Sequence, residues 1–198
     1  MATAAWETVF EEADLRVQRR PYQDSPLMEV KGEVSVVASL NALMALLKDA
    51  EFNPHWVYRS GGAKILQQSG YPQAYVYGVV DAPWPMQDRD AVVRFDYVQD
   101  PVTREITVTI TNYPDFVPPV SDLVRVPEFG GFWRLRPRAG GRVHVTYQVH
   151  GDPGGRVPRW LANHAAVLSV TRTLQNLPAV LGRYRGARSD LVREWLEE

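Results

Sequence analysis

The 198-residue chain contains no cysteine. Disulfides, thiolate nucleophiles and thiolate metal sites are therefore excluded. The chain also lacks an excess of either charge, since 22 basic and 23 acidic residues give a formal net charge of -1. Such a balance provides no general electrostatic attraction to nucleic acid, so no nucleic-acid partner is predicted.

Long apolar runs and targeting signals are missing as well. No segment approaches the roughly 20 apolar residues that cross a bilayer, and the start, MATAAWETVF, lacks the basic end and apolar stretch of a signal peptide. We expect a cytoplasmic protein from the sequence as given. Because ATAAW is also what a signal peptidase leaves after small residues, a removed signal would instead imply the periplasm. No repeat or linker interrupts the chain, which predicts one domain over residues 1–198.

Sequence motifs for catalysis and metal binding are absent too. There is no GxSxG nucleophile motif, no phosphate-binding loop and no HExxH pair. His144 and His150 share one predicted strand at even spacing, so both face outward and lie too far apart to hold one metal ion. No catalytic residue, metal or cofactor is predicted.

What the chain does contain is a regular series of strands. LRVQRRPY and LMEVKGEVSVVAS predict two strands joined by the turn QDSP, and Ser39 caps a helix over LNALMALLKDAE. NPHWVYRS predicts a short helix or turn. Six further strand-like runs follow: AKILQQSG, QAYVYGVVD, DAVVRFDYV, EITVTITNY, GFWRLRPR and RVHVTYQVHG. A long helix is predicted from 159 to 185, with a possible kink at Pro178, and SDLVREWLEE predicts one or two more helical turns capped by Ser189.

The pattern predicts an α+β protein with an antiparallel sheet. Ile106, Val108 and Ile110 alternate with threonines, as in a half-buried antiparallel strand. Strands that follow one another closely favour a meander. A curved sheet needs something to fill its concavity, and the last helix, with its apolar positions, is the predicted filling.

The corner PWPMQDRD joins two of the predicted strands. Prolines fix the backbone of segment 83–85, and Trp84 can cover apolar surface beside a cavity mouth. Asp88 and Asp90 flank Arg89, which allows charge-assisted hydrogen bonds within the loop. One interpretation is a binding lip or catalytic acid. The other is a structural lock in which Arg89 and its partners fix the loop to a neighbouring strand.

The order of these elements, together with PWPMQDRD, GFWRLRP and DPGGRVPRWLANHAA, resembles the START domain, the lipid-transfer domain related to the steroidogenic acute regulatory protein. Trp56 and the Asn early in the last helix match the same family. The resemblance covers roughly residues 6–184, and the short chain is similar to the bacterial stand-alone members. It implies a helix-grip fold of the Bet v 1-like superfamily, in which a curved antiparallel β-sheet wraps around a long C-terminal helix.

The resemblance also implies the function: one lipid or other hydrophobic small molecule held in an internal tunnel, with no chemistry. Steroid-binding members are similar to one another in a buried Arg–acid pair, and the equivalent positions here are the apolar Phe95 and Val76, which argues against a sterol anchor of that type. The predicted ligand-binding residues are Val76, Val93, Phe95, Val108, Trp133, Val145, Tyr147, His164, Val167 and Thr171. The loop PDFVPPVSDLV is the predicted lid.

The polar residues of the last helix leave alternatives open. His164, Val167 and Thr171 lie at spacings of three and four on one predicted inward face. His164 is either a satisfied core histidine or a contact for a ligand head group. A basic hairpin tip, containing Arg134, Arg136, Arg138 and Arg142, is either a solvated turn or a transient contact with an anionic membrane.

Two other functions remain possible from sequence. A cyclase or aromatase-like enzyme of the same superfamily would act on a hydrophobic substrate in the same cavity. A cavity-free interaction module would instead have a filled core.

Overall fold

The computed structural model describes residues 4–68, 72–189 and 191–194. Within them, ten strands form one sheet. The strands are β1 (Glu7–Glu12), β2 (Leu15–Pro21), β3 (Met28–Val37), β4 (Ser60–Gln68), β5 (Gln73–Val80), β6 (Arg89–Gln99), β7 (Ile106–Asn112), β8 (Val124–Arg125), β9 (Glu128–Arg138) and β10 (Arg142–Asp152).

The strand order is β1-β2-β3-β10-β9-β7-β6-β5-β4, and the neighbours along this path pair antiparallel. The short β8 lies off the path and pairs parallel with the start of β6. The curved antiparallel sheet with a long C-terminal helix confirms the predicted α+β helix-grip fold. Because β10 pairs with β3, the first three strands join the later meander as one continuous surface.

Two α-helices accompany the sheet. α1 (Leu40–Lys48) begins at Ser39, whose hydroxyl accepts the Ala42 N–H at 3.1 Å, as the sequence predicts. A 3₁₀ helix over Ala50–His55 follows it. α2 (Arg159–Val180) continues into a 3₁₀ turn over Leu181–Tyr184, with Pro178 in its last α-helical turn.

α2 packs on the concave face of the sheet over β2 and β3, toward one side of the strand order. At Gly32 of β3 the contact is so close that a Cβ atom would lie 2.4 Å from Leu174 Cδ1. The register places Val17, Gly32, Tyr147, Trp133, Val108 and Tyr97 in one row across six strands. This row forms the floor on which the helix and the cavity described below both lie.

Three parts of the chain differ from the sequence prediction. β1 is an additional edge strand whose residues are mostly exposed, so it carries little apolar alternation. β8 has only two residues, too few to give a pattern. Of the predicted tail helix, Ser189 and 191–194 are not helical, and its other residues lie outside the described ones.

The tail is held instead by contacts to the first helix. Val192 is buried, and the Glu194 carboxylate accepts the N–H groups of Leu40 and Asn41 at 3.0 and 2.8 Å. These N–H groups have no partner inside α1, so the carboxylate stabilises the helix start.

Candidate functional site

A cavity of about 160 Å³ lies between the concave face of the sheet and the helical segments. Its walls come from the central strands β5, β6, β7, β9 and β10, from the end of α1, from the segment around Trp56 and from α2. The lining is mainly apolar and aromatic. Such a lining removes an apolar ligand from water, as small-molecule sites generally do.

Half of the predicted ligand-binding residues line this cavity. They are Val76, Phe95, Val108, Trp133 and Tyr147. Val93 and Val145 face the same side of the sheet and are buried in the core, but they do not border the cavity. The structure therefore brings the strand residues together as the alternation predicts, and their contact with a ligand remains a prediction.

The positions equivalent to the steroid-binding Arg–acid pair are both in the wall. Phe95 pairs with Ala74, and Val76 pairs with Val93, on adjacent strands. Apolar side chains on both strands mean that no buried ion pair anchors a hydroxyl group here. Phe95 and Val76 thus lie on adjacent strands in the cavity wall. That the ligand is not a sterol anchored in this way stays a prediction.

The prediction for the helix is wrong at His164. His164 is exposed, and Trp160, one turn before it, is 71% exposed. The helical spacing assigned these residues to the face of Thr171, but the sheet covers that face only farther along the helix. His164 is thus neither a core histidine nor a group that projects into the cavity.

Val167 and Thr171 also lie outside the cavity lining. Val167 is half-buried against the core, and Thr171 is buried with its hydroxyl donating to the Val167 carbonyl at 2.8 Å. A hydroxyl satisfied within its own helix needs neither water nor a ligand. Burying Thr171 in the packed core therefore leaves no unsatisfied hydroxyl group.

Sequence reasoning missed several residues of the wall that carry polar groups: Lys48, Asn53, Trp56, Gln68, Gln73, Tyr97 and Thr173. Lys48 and Trp56 come from the end of α1 and the irregular segment after it, where no periodicity indicates direction. Thr173 lies two residues beyond the predicted Thr171, on the face that carries Val170, Leu174 and Leu177. The signal in the sequence that could have found Thr173 is the helical spacing of these apolar residues, which places it on their face.

An aromatic group forms one end of the wall. Trp133 stacks on Tyr147 with ring centroids 3.9 Å apart, and Trp56 lies 5.8 Å from Trp133 at a tilt. Burial raises the pKa of Tyr147. Its hydroxyl therefore stays protonated through the physiological range.

Lys48 supplies a cation at the edge of the same cavity. Its Nζ lies 5.1 Å from the centroid of the Tyr97 ring. Burial lowers the pKa of Lys48 because desolvation disfavours the charged ammonium. Among the described lining residues there is no carboxylate or histidine.

The corner at 81–88 is a structural lock, although through a different residue than expected. Asp90, 1% exposed, receives two hydrogen bonds from Arg125, at 3.0 and 2.8 Å. Asp88 accepts the Ala82 N–H at 2.7 Å, and buried Arg89 donates to the Gln87 carbonyl. The tie to a neighbouring strand is therefore made by Asp90, and Arg89 closes its own loop.

The predicted lid loop lies on the other side of the sheet. Phe116 stacks on Tyr75 with ring centroids 4.2 Å apart. Tyr75 lies between the inward-facing Ala74 and Val76 on β5, so its side chain is on the opposite face of the sheet. Arg125 also donates to the carbonyls of Pro114, Val117 and Pro118. This loop covers the convex face and is pinned by a buried ion pair, so it is not the lid.

The N-terminal half of α2 is the loosely held element beside the concave face. All of the helix's buried residues lie from Val170 onward. Between 159 and 169 the residues are exposed or half-buried, and Asn163 Oδ1 accepts the Met28 N–H at 2.8 Å. This half therefore contributes only half-buried side chains, Ala166 and Val167 among them, to the packing against the core.

Two tryptophans are exposed at the surface. Trp84 in the corner is 93% exposed, so it does not cover a cavity mouth. Trp160 lies in the first turn of α2. The loop before α2 packs near the start of β6, since a Cβ on Gly155 would lie 3.9 Å from Arg89 Nη2.

Three arginines of the predicted basic hairpin tip form ion pairs at the surface. Arg134 and Arg136 both pair with Glu105, and Arg142 pairs with Asp14. In the described residues no three metal-ligating side chains come together. In the same residues no helix is long and apolar enough to span a bilayer.

Comparison with known proteins gives consistent matches. A sequence model of the START domain matches residues 1–186. The chain is similar to the crystal structure of a STAR-related lipid transfer protein from Xanthomonas axonopodis, with 34% identity and a TM-score of 0.83, over 89% of this chain and 98% of that one. It is 26% identical to the phosphatidylcholine transfer protein of Rattus norvegicus, over 91% of this chain and 86% of that protein.

A more distant match shows the fold alone. An aromatase/cyclase from Streptomyces sp. R1128 superposes with a TM-score of 0.53 at 20% identity, over 79% of this chain and 92% of that one. The same architecture is therefore shared by proteins of different activity.

Proposed function

Because this chain belongs to the START domain family, we propose that it carries one lipid or other hydrophobic small molecule in the cavity between sheet and α2, without chemistry. Family membership and the similarity to lipid transfer proteins support a lipid-binding role. The cavity is the single observation that carries the proposal for this chain.

The driving force is burial of apolar surface. Each methylene group that leaves water for the cavity contributes about 0.8 kcal/mol. The lining residues Val76, Phe95, Val108 and Trp133 supply apolar contacts from four strands of the sheet. Affinity then depends mainly on the length of chain that the cavity admits.

The size of the cavity requires a conformational change for a large lipid. About 160 Å³ takes a single benzene-sized group, whereas drug-sized ligands occupy roughly 300–1,000 Å³. We therefore assign entry to the N-terminal half of α2, which contains none of the helix's buried residues and touches the core only through half-buried side chains such as Ala166 and Val167. Among the described residues this half does not line the cavity itself, and its separation would uncover the concave surface of β3, which pairs with the cavity strand β10.

The absence of an acid–base pair supports carriage over catalysis. Among the described lining residues the titratable groups are Lys48, Tyr97 and Tyr147. General acid–base chemistry near neutral pH needs groups that titrate there. The pKa of Tyr147 is shifted away from that range, and Lys48, whose pKa burial lowers, shares the described lining with no carboxylate or histidine. The cyclase alternative is supported by fold alone, and the cavity-free module is disfavoured by the cavity.

We further propose a transient membrane contact through Trp84 and Trp160. Tryptophan favours the bilayer interface because one end of its ring system is apolar and the other polar. Both residues are exposed, and Trp160 lies in the first turn of α2, the half assigned to entry. Replacing both with alanine should slow transfer from vesicles, while the lipid already bound to purified protein stays the same.

Native mass spectrometry with lipid extraction of the purified protein tests the proposal. We expect a bound apolar molecule in one-to-one ratio. Ala74→Phe, which adds a ring inside the cavity, should abolish it, whereas Val98→Phe on the outward side of β6 should not. Protein that carries no ligand, or an Ala74→Phe variant that is folded and fully loaded, would contradict the proposal.

A further inference from the structure

The aromatic end of the cavity contains a hydrogen-bond donor with nothing to donate to. Trp56 is 2% exposed, and its Nε1 has no partner among the described residues. The other polar groups of Trp56 are used: its backbone N–H donates to Asn53, and its carbonyl accepts Asn176 Nδ2 at 3.0 Å. An indole N–H can only donate. Buried donors are nearly always satisfied, so this one indicates a missing acceptor.

A second donor faces the same space. Tyr147 stacks on Trp133, and within the described part of the chain its hydroxyl makes no hydrogen bond. Tyr147 is half-buried and belongs to the cavity wall. Because burial raises its pKa, the group keeps its proton and can donate.

Thr173 adds a third hydroxyl to this wall. Its Oγ1 accepts the Tyr58 N–H at 3.1 Å, which leaves the hydroxyl hydrogen available for another acceptor. The cavity is thus apolar in most of its surface but rich in neutral donors at one end.

The charge of the wall decides what kind of acceptor fits. A cationic ligand would meet Lys48 and no carboxylate among the described lining residues. An anionic ligand would lose its hydration in a mainly apolar cavity, with Lys48 as the one cationic side chain of the described lining. A neutral oxygen pays neither cost and satisfies the donors.

We infer that the aromatic end of the cavity selects ligands bearing an uncharged acceptor oxygen, such as an ester, ketone or quinone carbonyl, which receives hydrogen bonds from Trp56 Nε1 and the Tyr147 hydroxyl. The inference rests on the proposed function, since it names the ligand class of the same site. It distinguishes carbonyl-bearing lipids from hydrocarbons, fatty-acid anions and amines.

Four small ring compounds test the inference because they share one size and differ in one group. Acetophenone carries the carbonyl, α-methylstyrene replaces its oxygen with CH₂, benzoate is an anion and benzamidine is a cation. Dissociation constants are measured by ligand-observed NMR for the wild type, Trp56→Phe and Tyr147→Phe. The matched control is Tyr184→Phe, whose hydroxyl donates to Asp49 at 2.7 Å and is not part of the cavity wall.

We expect Tyr147→Phe and Trp56→Phe each to weaken acetophenone binding about fivefold, as for one neutral hydrogen bond. Neither change should weaken α-methylstyrene to the same extent, and Tyr184→Phe should leave both ligands unchanged. Wild-type protein should bind benzoate and benzamidine more weakly than acetophenone.

Several results would overturn the inference while leaving lipid binding intact. One is an equal effect of Tyr147→Phe on acetophenone and α-methylstyrene, which would mean that the donors serve only water. Another is tighter binding of benzoate or benzamidine than of acetophenone. If no ring compound binds although the purified protein carries lipid, the acceptor site is wrong and the proposed function stands. If neither rings nor lipid bind, both fail.

Discussion

The two halves of α2 are equal in length but differ in environment. From Val170 to Leu181 the helix is packed on the concave face, and Leu174, 0% exposed, lies directly against Gly32. From Arg159 to 169 it has no buried residue. The C-terminal half therefore supplies the buried packing of the helix, and the N-terminal half is the part at which we propose that ligands enter.

This division explains how one helix can close a cavity and still open it. Local opening free energies are low where few apolar contacts are buried. If the whole helix were packed as it is at Leu174, entry would require unfolding of the core. The predictions below compare the two halves directly.

The largest effect is expected at Leu174. Leu174→Ala leaves a cavity in the packed half and should lower the free energy of unfolding by roughly 2–5 kcal/mol. Leu161→Ala, a matched change at a half-buried site in the other half, should cost less than half as much. Urea denaturation of both variants gives the comparison, and equal losses would show that the halves are packed alike.

A smaller loss is expected from the sheet side of the same contact. In Gly32→Ala the new methyl group would lie 2.4 Å from Leu174 Cδ1 and 2.6 Å from Val170 Cγ1. Such overpacking typically costs roughly 1–3 kcal/mol. A melting temperature equal to that of the wild type would mean that the helix is free to move away even at its C-terminal half.

Alkaline pH tests the end of the packed half. Desolvation, with the hydrogen bond to Asp49, raises the pKa of Tyr184 from 10.0 to about 12. Between these values the unfolded chain holds fewer protons than the folded one, so this contribution is complete below pH 10 and is lost as pH rises toward 12. Tyr184→Phe should flatten that decline in thermal melts. The pKa of Tyr147 is also raised, and Tyr147 is unchanged in this variant. Only part of the loss of stability at high pH should therefore disappear.

The smallest effect is expected at His164. It is exposed in the open half, and surface substitutions of this kind stay within about 0.5 kcal/mol. His164→Ala should leave stability and ligand content unchanged by denaturation and native mass spectrometry. A large loss would place this histidine back on an inward face.

The sheet was predictable because alternation fixes which side chains share a face. Once Ile106, Val108 and Ile110 face inward, pairing places Trp133 and Tyr147 beside them. Five wall residues follow from this regularity, without knowledge of the helix. Turn residues and the Ser39 cap likewise act locally, so their effects can be derived from neighbouring residues.

The helix and the irregular segments were less predictable for physical reasons. Helical spacing groups His164 with Thr171 but does not tell how far along the helix the sheet extends. Phe116 is apolar, yet either face of the sheet can take an apolar side chain. Trp56 follows a 3₁₀ segment, where no period indicates its direction.

The central claim is that ligands enter where the N-terminal half of α2 separates from β3. The Met28–Asn163 contact at 2.8 Å is the place to block this separation, and a chain without cysteine has no competing thiols. In the variant Met28→Cys/Asn163→Cys, uptake of a fluorescent lipid from vesicles is measured before and after reduction of the disulfide. The account predicts slow uptake when oxidised and recovery to the wild-type rate when reduced. Equal rates in both states would contradict it.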